Sequence, residues 1–367
     1  MQPVLEVDLD AVVANWRALR ARHGSGACAG VVKADGYGLG AGPVARALAA
    51  AGCRHFFVAH LSEGMALREA LGPGPMVAVL NGFPPGAEED AALTPVLNGP
   101  GDVAAHAAAA RRAGRPAPVI LHLDTGMARL GLAPAEARAL AEDRATLAAL
   151  ELRYVMTHLA RADEPEAPLN ALQATRFAEL CALLPPAPRS LANSAGIFLG
   201  PRFASDLARP GCALYGINPT PYAPNPVRIP FTATAPVLQL REVPADTPVG
   251  YGGGSVTTRP TRIATVAAGY ADGIPRAISG RGMVALFGGR PAPLIGRVSM
   301  DLTLFDVTDL PRAPVPGEAA TLIGDAPGIT PDEIADRAGT IGYEVLTSLG
   351  SRWRRVYRGG GVAPGAA

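Results

Sequence analysis

The sequence predicts an α/β chain: an amino-terminal (β/α)8 barrel followed by a carboxy-terminal, mostly β domain. Three observations carry this expectation. From Leu5 to about residue 215, short apolar runs alternate with alanine-rich amphipathic stretches. Between about 216 and 230 the rhythm breaks at "INPTPYAPNPVRIP", whose prolines and asparagines suit an ordered linker and not a helix. Beyond it, strand-like runs follow one another across glycine and proline turns, with too little chain between them for helices.

Taken in order, "LEV" precedes "DAVVANWRALRARHG", "CAGVVK" precedes "GPVARALAAAG", and "HFFVAH" precedes "LSEGMALREALG". Next come "MVAVL", "PVILHLD" with a helix over 134–148, "LRYVMTH" with a helix over 170–183, "RSLANS", and "ALYG" as a last strand. Near-continuous apolar strands separated by helices imply parallel strands covered on both faces. About eight such units point to a closed TIM-type barrel, with an open doubly wound sheet as the alternative. The domains are expected at 1–225 and 226–367. In the second, "FTATAPVLQLREV", "RIATVAAGY", "MVALFGG", "APLIGRVSM", "LTLFDVT" and "ATLIG" read as strands. One late helix is signalled by Thr330 as cap, Pro331 in the first turn and Glu333 completing a capping box. The terminal "GGGVAPGAA" reads as disordered.

Composition narrows the function. The 367 residues are 49% hydrophobic, enough for a barrel plus an addition, and the net charge of +1 offers no basic surface for nucleic acid or an anionic membrane. A small-molecule substrate is the better expectation. Cys28, Cys53, Cys181 and Cys212 are scattered without CxxC or histidine spacing, which suggests reduced, mostly buried thiols and no metal site. "MQPVLEVDLD" has no basic segment followed by a long apolar stretch, and no window reaches membrane-spanning length, so a cytoplasmic location is expected.

In a barrel, the polar residues that close each apolar run face one mouth, where barrel enzymes place their chemistry. Lys33 follows "AGVV", Asp124 and Arg129 follow "VILHL", and His158 follows "RYVMT". Asn193 and Ser194 follow "SLA", and Arg209 precedes the expected "PGCALYG" strand. Each alone has an ordinary structural explanation; seven at one rim call for a shared one. One lysine among donors such as Ser194, Tyr37 and backbone glycines suits an aldehyde cofactor bearing a phosphate, because a neutral amine condenses with the aldehyde. No HxH pair follows the first strands and no carboxylates cluster near His158, so a metal-dependent hydrolase is poorly supported. A nucleotide-binding oxidoreductase is disfavoured too. Gly38, Gly40 and Gly42 give GxGxG and not GxGxxG, and "HFFVAH" ends in His60 where a ribose-binding acid belongs.

These residues also carry a resemblance. "VVKADGYG", "LDTGMARLG", "MTHLARAD", "ANSAG", "ARPGCALYG", "VGYGG", "AAGYADG", "GRVSMD" and "IGYEVLTSLGSRWRRVY" occur in this order over nearly the whole chain. Together the chain resembles the alanine racemases, which pair a (β/α)8 barrel with a β domain and use pyridoxal 5′-phosphate. The resemblance implies an isomerase of L- and D-alanine that acts by two-base proton transfer on an external aldimine. It also implies a homodimer whose β domains complete each other's active sites. A serine or broader racemase is the alternative. A non-enzymatic pyridoxal phosphate carrier on the same barrel would lack the β domain, and the histidine-glycine and cysteine motifs of related decarboxylases are missing.

By the same resemblance, Lys33 holds the cofactor and serves as one base, and Tyr251 from the partner subunit is the other. Tyr37, Ser194 and Tyr343 match phosphate-binding residues, assisted by the backbone at Gly211 and Cys212. Arg209 matches the arginine at the pyridine nitrogen, with His158 and Asn193 nearby. Arg129 and the backbone of Met300 match the substrate-carboxylate contacts, and Tyr270 and Asp301 match residues that shape the entrance. One position departs from the pattern. Many family members have, seven residues before the motif arginine, a lysine modified to a carbamate that orients it; here that position is His122, which leaves either a bound inorganic anion or another partner, such as Asp124, to hold Arg129.

Overall fold

The structure is a computed structural model and describes residues 2–87 and 92–361. The chain divides into two compact units: Val12–Gly36 with Gly40–Val227, and Met1–Ala11 with Tyr37–Leu39 and Arg228–Ala367. Of the run 359–367 expected to be disordered, 362–367 lie outside the described residues.

The first unit is the barrel. Gly30–Val31, His55–Val58, Met76–Val79, Thr94–Leu97, Ala117–His122, Leu150–Met156 and Arg189–Ser190 form a seven-stranded sheet, parallel throughout and in chain order. An eighth strand, Leu207–Ala208, pairs in parallel with Ala27–Cys28, the extended run that leads into Gly30–Val31. The Arg209 amide donates to Ala192 O at 2.8 Å and Ser190 Oγ to Leu207 O at 2.7 Å, which closes the ring. Its strands are short and buried along most of their length, as expected of parallel strands covered by helices. Leu97, Leu121, Val155, Phe177 and Leu180 belong to one core packed between strands and helices.

The second unit is built on an eight-stranded sheet. Its main path runs Arg290–Pro293, Val284–Phe287, Ala319–Ile323, Phe231–Val243, Val4–Asp8, Arg354–Arg358, with Thr261–Val266 paired to Phe231–Val243 and Thr303–Asp306 paired to Thr261–Val266. A separate hairpin, Pro248–Val249 with Ser255–Val256, carries the turn that contains Tyr251. The capped helix forms as expected at Pro331–Ala338: Thr330 Oγ1 accepts from the Glu333 amide at 3.2 Å, and Glu333 Oε2 accepts from the Thr330 amide at 3.1 Å. Among the described residues, no helix is long and apolar enough to cross a membrane.

Several elements differ from expectation. "LEV" is not a barrel strand: Val4–Asp8 pairs antiparallel with Phe231–Val243 and parallel with Arg354–Arg358. Its burial alternates along "VLEVD", the pattern of a sheet with one covered face, whereas the barrel strands His55–Val58 and Met76–Val79 end in three consecutive buried residues. "ALYG" is not a strand either. Cys212–Tyr215 is a buried 3-10 turn, and the strand is Leu207–Ala208, so Arg209 follows the last strand and does not precede it. Burial alone cannot separate the two, because the turn is as apolar as a strand. The helix expected over 134–148 is two, Pro134–Glu142 and Arg144–Ala148, with the Asp143 carboxylate capping the second through the Thr146 amide at 2.9 Å. The strand Thr94–Leu97 and the helix Pro100–Ala113 complete a barrel unit that the sequence reading passed over.

Candidate active site

Lys33 stands at the end of Gly30–Val31, a two-residue strand fixed from both sides. The Val32 amide donates to Phe57 O at 2.9 Å, and the buried Tyr215 hydroxyl donates to Val31 O at 2.9 Å. Past Lys33 the backbone turns left-handed: Ala34 (φ 52°, ψ 50°), Asp35 (51°, 50°), Gly36 (61°, 44°) and Tyr37 (φ 54°). Left-handed helical geometry costs an L-residue roughly 1–2 kcal/mol, so three non-glycine residues in this run need fixed partners. Glu63 Oε1 accepts from the Ala34 amide at 2.6 Å, Asp35 Oδ1 accepts from the Ala41 amide at 2.9 Å, and Asp35 O accepts from the Gly40 amide at 2.8 Å. The other oxygen of Glu63 accepts from the Ala59 and His60 amides at 2.7 and 3.0 Å, so one carboxylate ties the lysine turn to a helix start.

Around the lysine the barrel gathers cations. Burial and the charge of Arg129 lower the Lys33 amine from its usual range, opposed by Glu63, which favours the neutral amine a carbonyl condensation needs. Arg209 is 4% exposed; it donates to Ser190 Oγ and, at 2.6 Å, to Thr157 O, and burial lowers it to about 10. His158 is held neutral, its pKa lowered to about 3 by burial and then by Arg209, Arg129 and Lys33. His122, at the end of Ala117–His122, is lowered to about 4 by burial and Arg209, with Asp124 opposing. Asp124 does not hold Arg129: its oxygens accept from the amides of Gly126, Met127 and Ala128 at 2.9 to 3.2 Å. Burial raises the Asp124 carboxyl, but these three donors outweigh it and leave its pKa low. Among the described residues, Arg129 and Arg209 have no carboxylate partner.

Ser194 Oγ accepts from the Gly211 amide at 2.9 Å and from the Ala213 amide at 3.3 Å, which leaves its O–H to donate elsewhere. Gly211, whose backbone is expected to assist at the phosphate, donates its amide to Ser194 here, and Cys212 opens the buried turn that follows. Asn193 is also engaged within the barrel: its Nδ2 donates to Leu159 O at 3.2 Å and its Oδ1 accepts from the Gly196 amide at 2.9 Å. The barrel unit therefore brings Lys33, Arg129 and Arg209 around a neutral His158, with Asn193, Ser194, Gly211 and Cys212 in adjoining turns. A lysine amine biased toward neutrality, two guanidiniums without carboxylates and a serine O–H fit an anionic ligand with an aldehyde, which is the chemistry of pyridoxal phosphate.

The remaining candidates belong to the second unit. The rings of Tyr37 and Tyr343 lie 6.3 Å apart, tilted by 44°. Tyr270 and Met300 sit on two turns joined by the Tyr270 amide to Ser299 O and the Ala271 amide to Met300 O, both at 2.9 Å. Arg352 clamps the same turns: its Nε is 2.8 Å from Oδ1 of the fully buried Asp272, and its Nη1 donates to Asp301 Oδ1 at 2.6 Å. Tyr251 lies apart on its hairpin turn, 71% exposed. The sequence reading missed Glu63, Asn98, Tyr215 and Arg352. Only Glu63 carried a local signal, an acid in the third position of a helix just after a strand.

Comparisons with known proteins match nearly the whole chain. The alanine racemase N-terminal domain model matches residues 7–219 and the C-terminal domain model residues 231–357. The alanine racemase of Acidiphilium cryptum is 54% identical over 97% of this chain and 99% of its own. A catabolic alanine racemase of Mesorhizobium japonicum is 48% identical over 97% and 93%. Among solved structures, the alanine racemase from Bartonella henselae with covalently bound pyridoxal phosphate superposes with a TM-score of 0.92, at 38% identity over 98% of this chain and 100% of that one.

Proposed function

The chain belongs to the alanine racemase family and is a pyridoxal phosphate-dependent isomerase of alanine; from that premise we propose that Lys33 and Tyr251 divide the two proton transfers between them. The observation that carries the proposal is the Lys33 amine, depressed by burial and by Arg129 within a group of cations at the barrel mouth. When bound, the cofactor supplies an electron sink that acidifies the α-hydrogen of the amino acid joined to it.

The chain's own residues do the rest. Lys33 is the amine that would hold the cofactor, and its nitrogen would take or return a proton on one face of the substrate α-carbon. Arg209, fixed by Ser190 and the Thr157 carbonyl, would meet the ring nitrogen as a pure donor. Tyr37, Ser194 and Tyr343 serve the phosphate, with Cys212, Gly211 and Asn193 shaping the barrel turn that presents Ser194. Neutral His158 accepts hydrogen bonds without adding a charge. Arg129 and the Met300 backbone receive the substrate carboxylate, and Tyr270 and Asp301 line its approach.

Inversion requires a second acid/base on the opposite face, so the proton lost to one group is replaced by one from the other. Tyr251 fills this role from a second copy of the chain, giving a homodimer with shared sites. A phenol 71% exposed to water is poorly placed for proton transfer to carbon until another surface covers it. Solvent-deuterium exchange with each alanine enantiomer, with and without pyridoxal phosphate, tests the function: no cofactor-dependent α-exchange would refute it. Borohydride reduction followed by peptide mapping tests the site, and label on any residue other than Lys33 would move it.

A further inference from the structure

Asn98 follows the strand Thr94–Leu97, and His122 ends the neighbouring strand Ala117–His122. The orientation of the Asn98 amide is fixed by its own donors: Nδ2 donates to Leu80 O at 2.9 Å and to Val96 O at 3.2 Å. Oδ1 is thereby turned to His122 Nδ1, 2.8 Å away. A carbonyl oxygen only accepts, so the imidazole proton resides on Nδ1 and the lone pair of the neutral ring on Nε2. The loop beyond His122 closes on the same pair. The Gly131 amide donates to Asn98 O at 3.1 Å, and a Cβ at Gly131 would lie 3.2 Å from His122 Cδ2, so glycine there keeps side-chain atoms off the ring.

The charges that face this buried ring come from several elements. Asp124 and Arg129 lie on its own segment, Arg209 at the end of the last strand, and His158 at the end of the next strand; Lys33 also acts on His158. Behind Asn98, Asp102 accepts from the Asn98 amide at 2.9 Å. Protonation of His122 would add one more positive charge to a cluster whose nearest acid, Asp124, is already engaged by three amides.

We propose that Asn98 is a positioning residue of the racemase: it locks His122 as the uncharged Nδ1–H tautomer, so that Nε2 is a neutral hydrogen-bond acceptor at the barrel mouth. Where the resemblance calls for an anion to orient Arg129, this chain has an imidazole whose Nε2 carries a lone pair and on which Arg129 acts. The reaction therefore requires neither a carbon dioxide-derived group nor a bound halide at this position. A second arginine, Arg209, acts on the same ring, so an acceptor there suits a cluster already rich in donors.

The test uses the holoenzyme with 15N-labelled histidine, and His122→Gln identifies the His122 ring signals. Expected is an Nδ1–H tautomer at pH 7 that stays neutral down to about pH 5; an Nε2–H tautomer, or a ring protonated at pH 6, overturns the proposal. The second arm is Asn98→Asp, which sets a carboxylate against Nδ1 and favours imidazolium. The acid limb of the kcat/KM profile for alanine should move up by about one pH unit, with about a fivefold loss at pH 4 that recovers as pH rises past about 6. An equal loss at every pH would mark a merely structural role and count against the proposal. Exhaustive removal of chloride and carbon dioxide should leave wild-type turnover unchanged, and a loss restored by either would overturn it. The inference rests on the racemase reading only for its kinetic arms; the ring spectrum requires no turnover, so the two fail separately.

Discussion

The left-handed turn after Lys33 makes Ala34 a position where the smallest substitution should raise stability. Ala34 has φ 52° and ψ 50°, and its side chain is exposed, so deleting the methyl group forfeits no core packing. Relief of left-handed geometry is worth roughly 1–2 kcal/mol, and the added freedom of glycine in the unfolded chain takes back roughly 0.4–1 kcal/mol. The net for Ala34→Gly is a stabilisation of about 0.5–1 kcal/mol. Ala34→Val should go the other way, because a β-branched residue at positive φ is a sharper outlier than alanine. The assay is thermal unfolding followed by fluorescence of Trp16, which is buried in the barrel unit, in a Trp353→Phe background at fixed protein and cofactor concentration. For a domain of this size the expected shifts are about 1–4 °C, upward for glycine and downward for valine. If Ala34→Gly melts below the parent, or Ala34→Val at or above it, the strain argument is wrong.

Three other expectations follow from the same structure. His122 and His158 titrate near 6.5 in an unfolded chain but near 4 and 3 when folded, so the unfolded state binds more protons between those limits. Stability is therefore full above about pH 6.5, falls as pH drops from there toward about 4 and 3, and levels off below; urea midpoints read at Trp16 should decline between about pH 6.5 and 4, less steeply in His122→Gln. Tyr251→Phe should fold normally and lose roughly 10²- to 10⁴-fold in racemisation while still exchanging the α-hydrogen of one enantiomer with solvent through Lys33; retained racemisation would remove Tyr251 from the mechanism. Thr330→Ala removes the cap of Pro331–Ala338 and should cost about 1 kcal/mol, read by urea unfolding at Trp353 with Trp16→Phe; an unchanged midpoint would show that the capping box contributes nothing.

The barrel was legible in the sequence because parallel strands covered on both faces leave unbroken apolar runs, and the polar residue after each run marks the rim. Lys33 and His158 could be found in this way before any contact was known. Val4–Asp8 was misplaced because apolar alternation says that one face is covered without naming the strand that lies beside it. Arg209 was assigned to the wrong side of its strand because the 3-10 turn Cys212–Tyr215 is as apolar as a strand and ends, as many strands do, at a glycine. The turn at Ala34 left no trace, since alanine disfavours left-handed geometry and the partners that impose it on Ala34 and Asp35, Glu63 and Ala41, act from outside the motif. Asn98 is a similar case. Its neighbours suggest only a turn after a strand, and its meaning comes from a histidine 24 positions away.

The position of Val4–Asp8 has a consequence for synthesis. The segment is made before both of its partners: antiparallel Phe231–Val243 follows more than two hundred residues later, and parallel Arg354–Arg358 later still. At about 5–20 residues per second, that leaves the first strand unpaired for tens of seconds while the barrel assembles behind it. During this interval "VLEVD" offers a bare edge with alternating apolar side chains, a surface on which two nascent chains can pair with each other. Yield in cells should thus depend on how quickly the last strands follow the first, more than on the stability of the finished sheet.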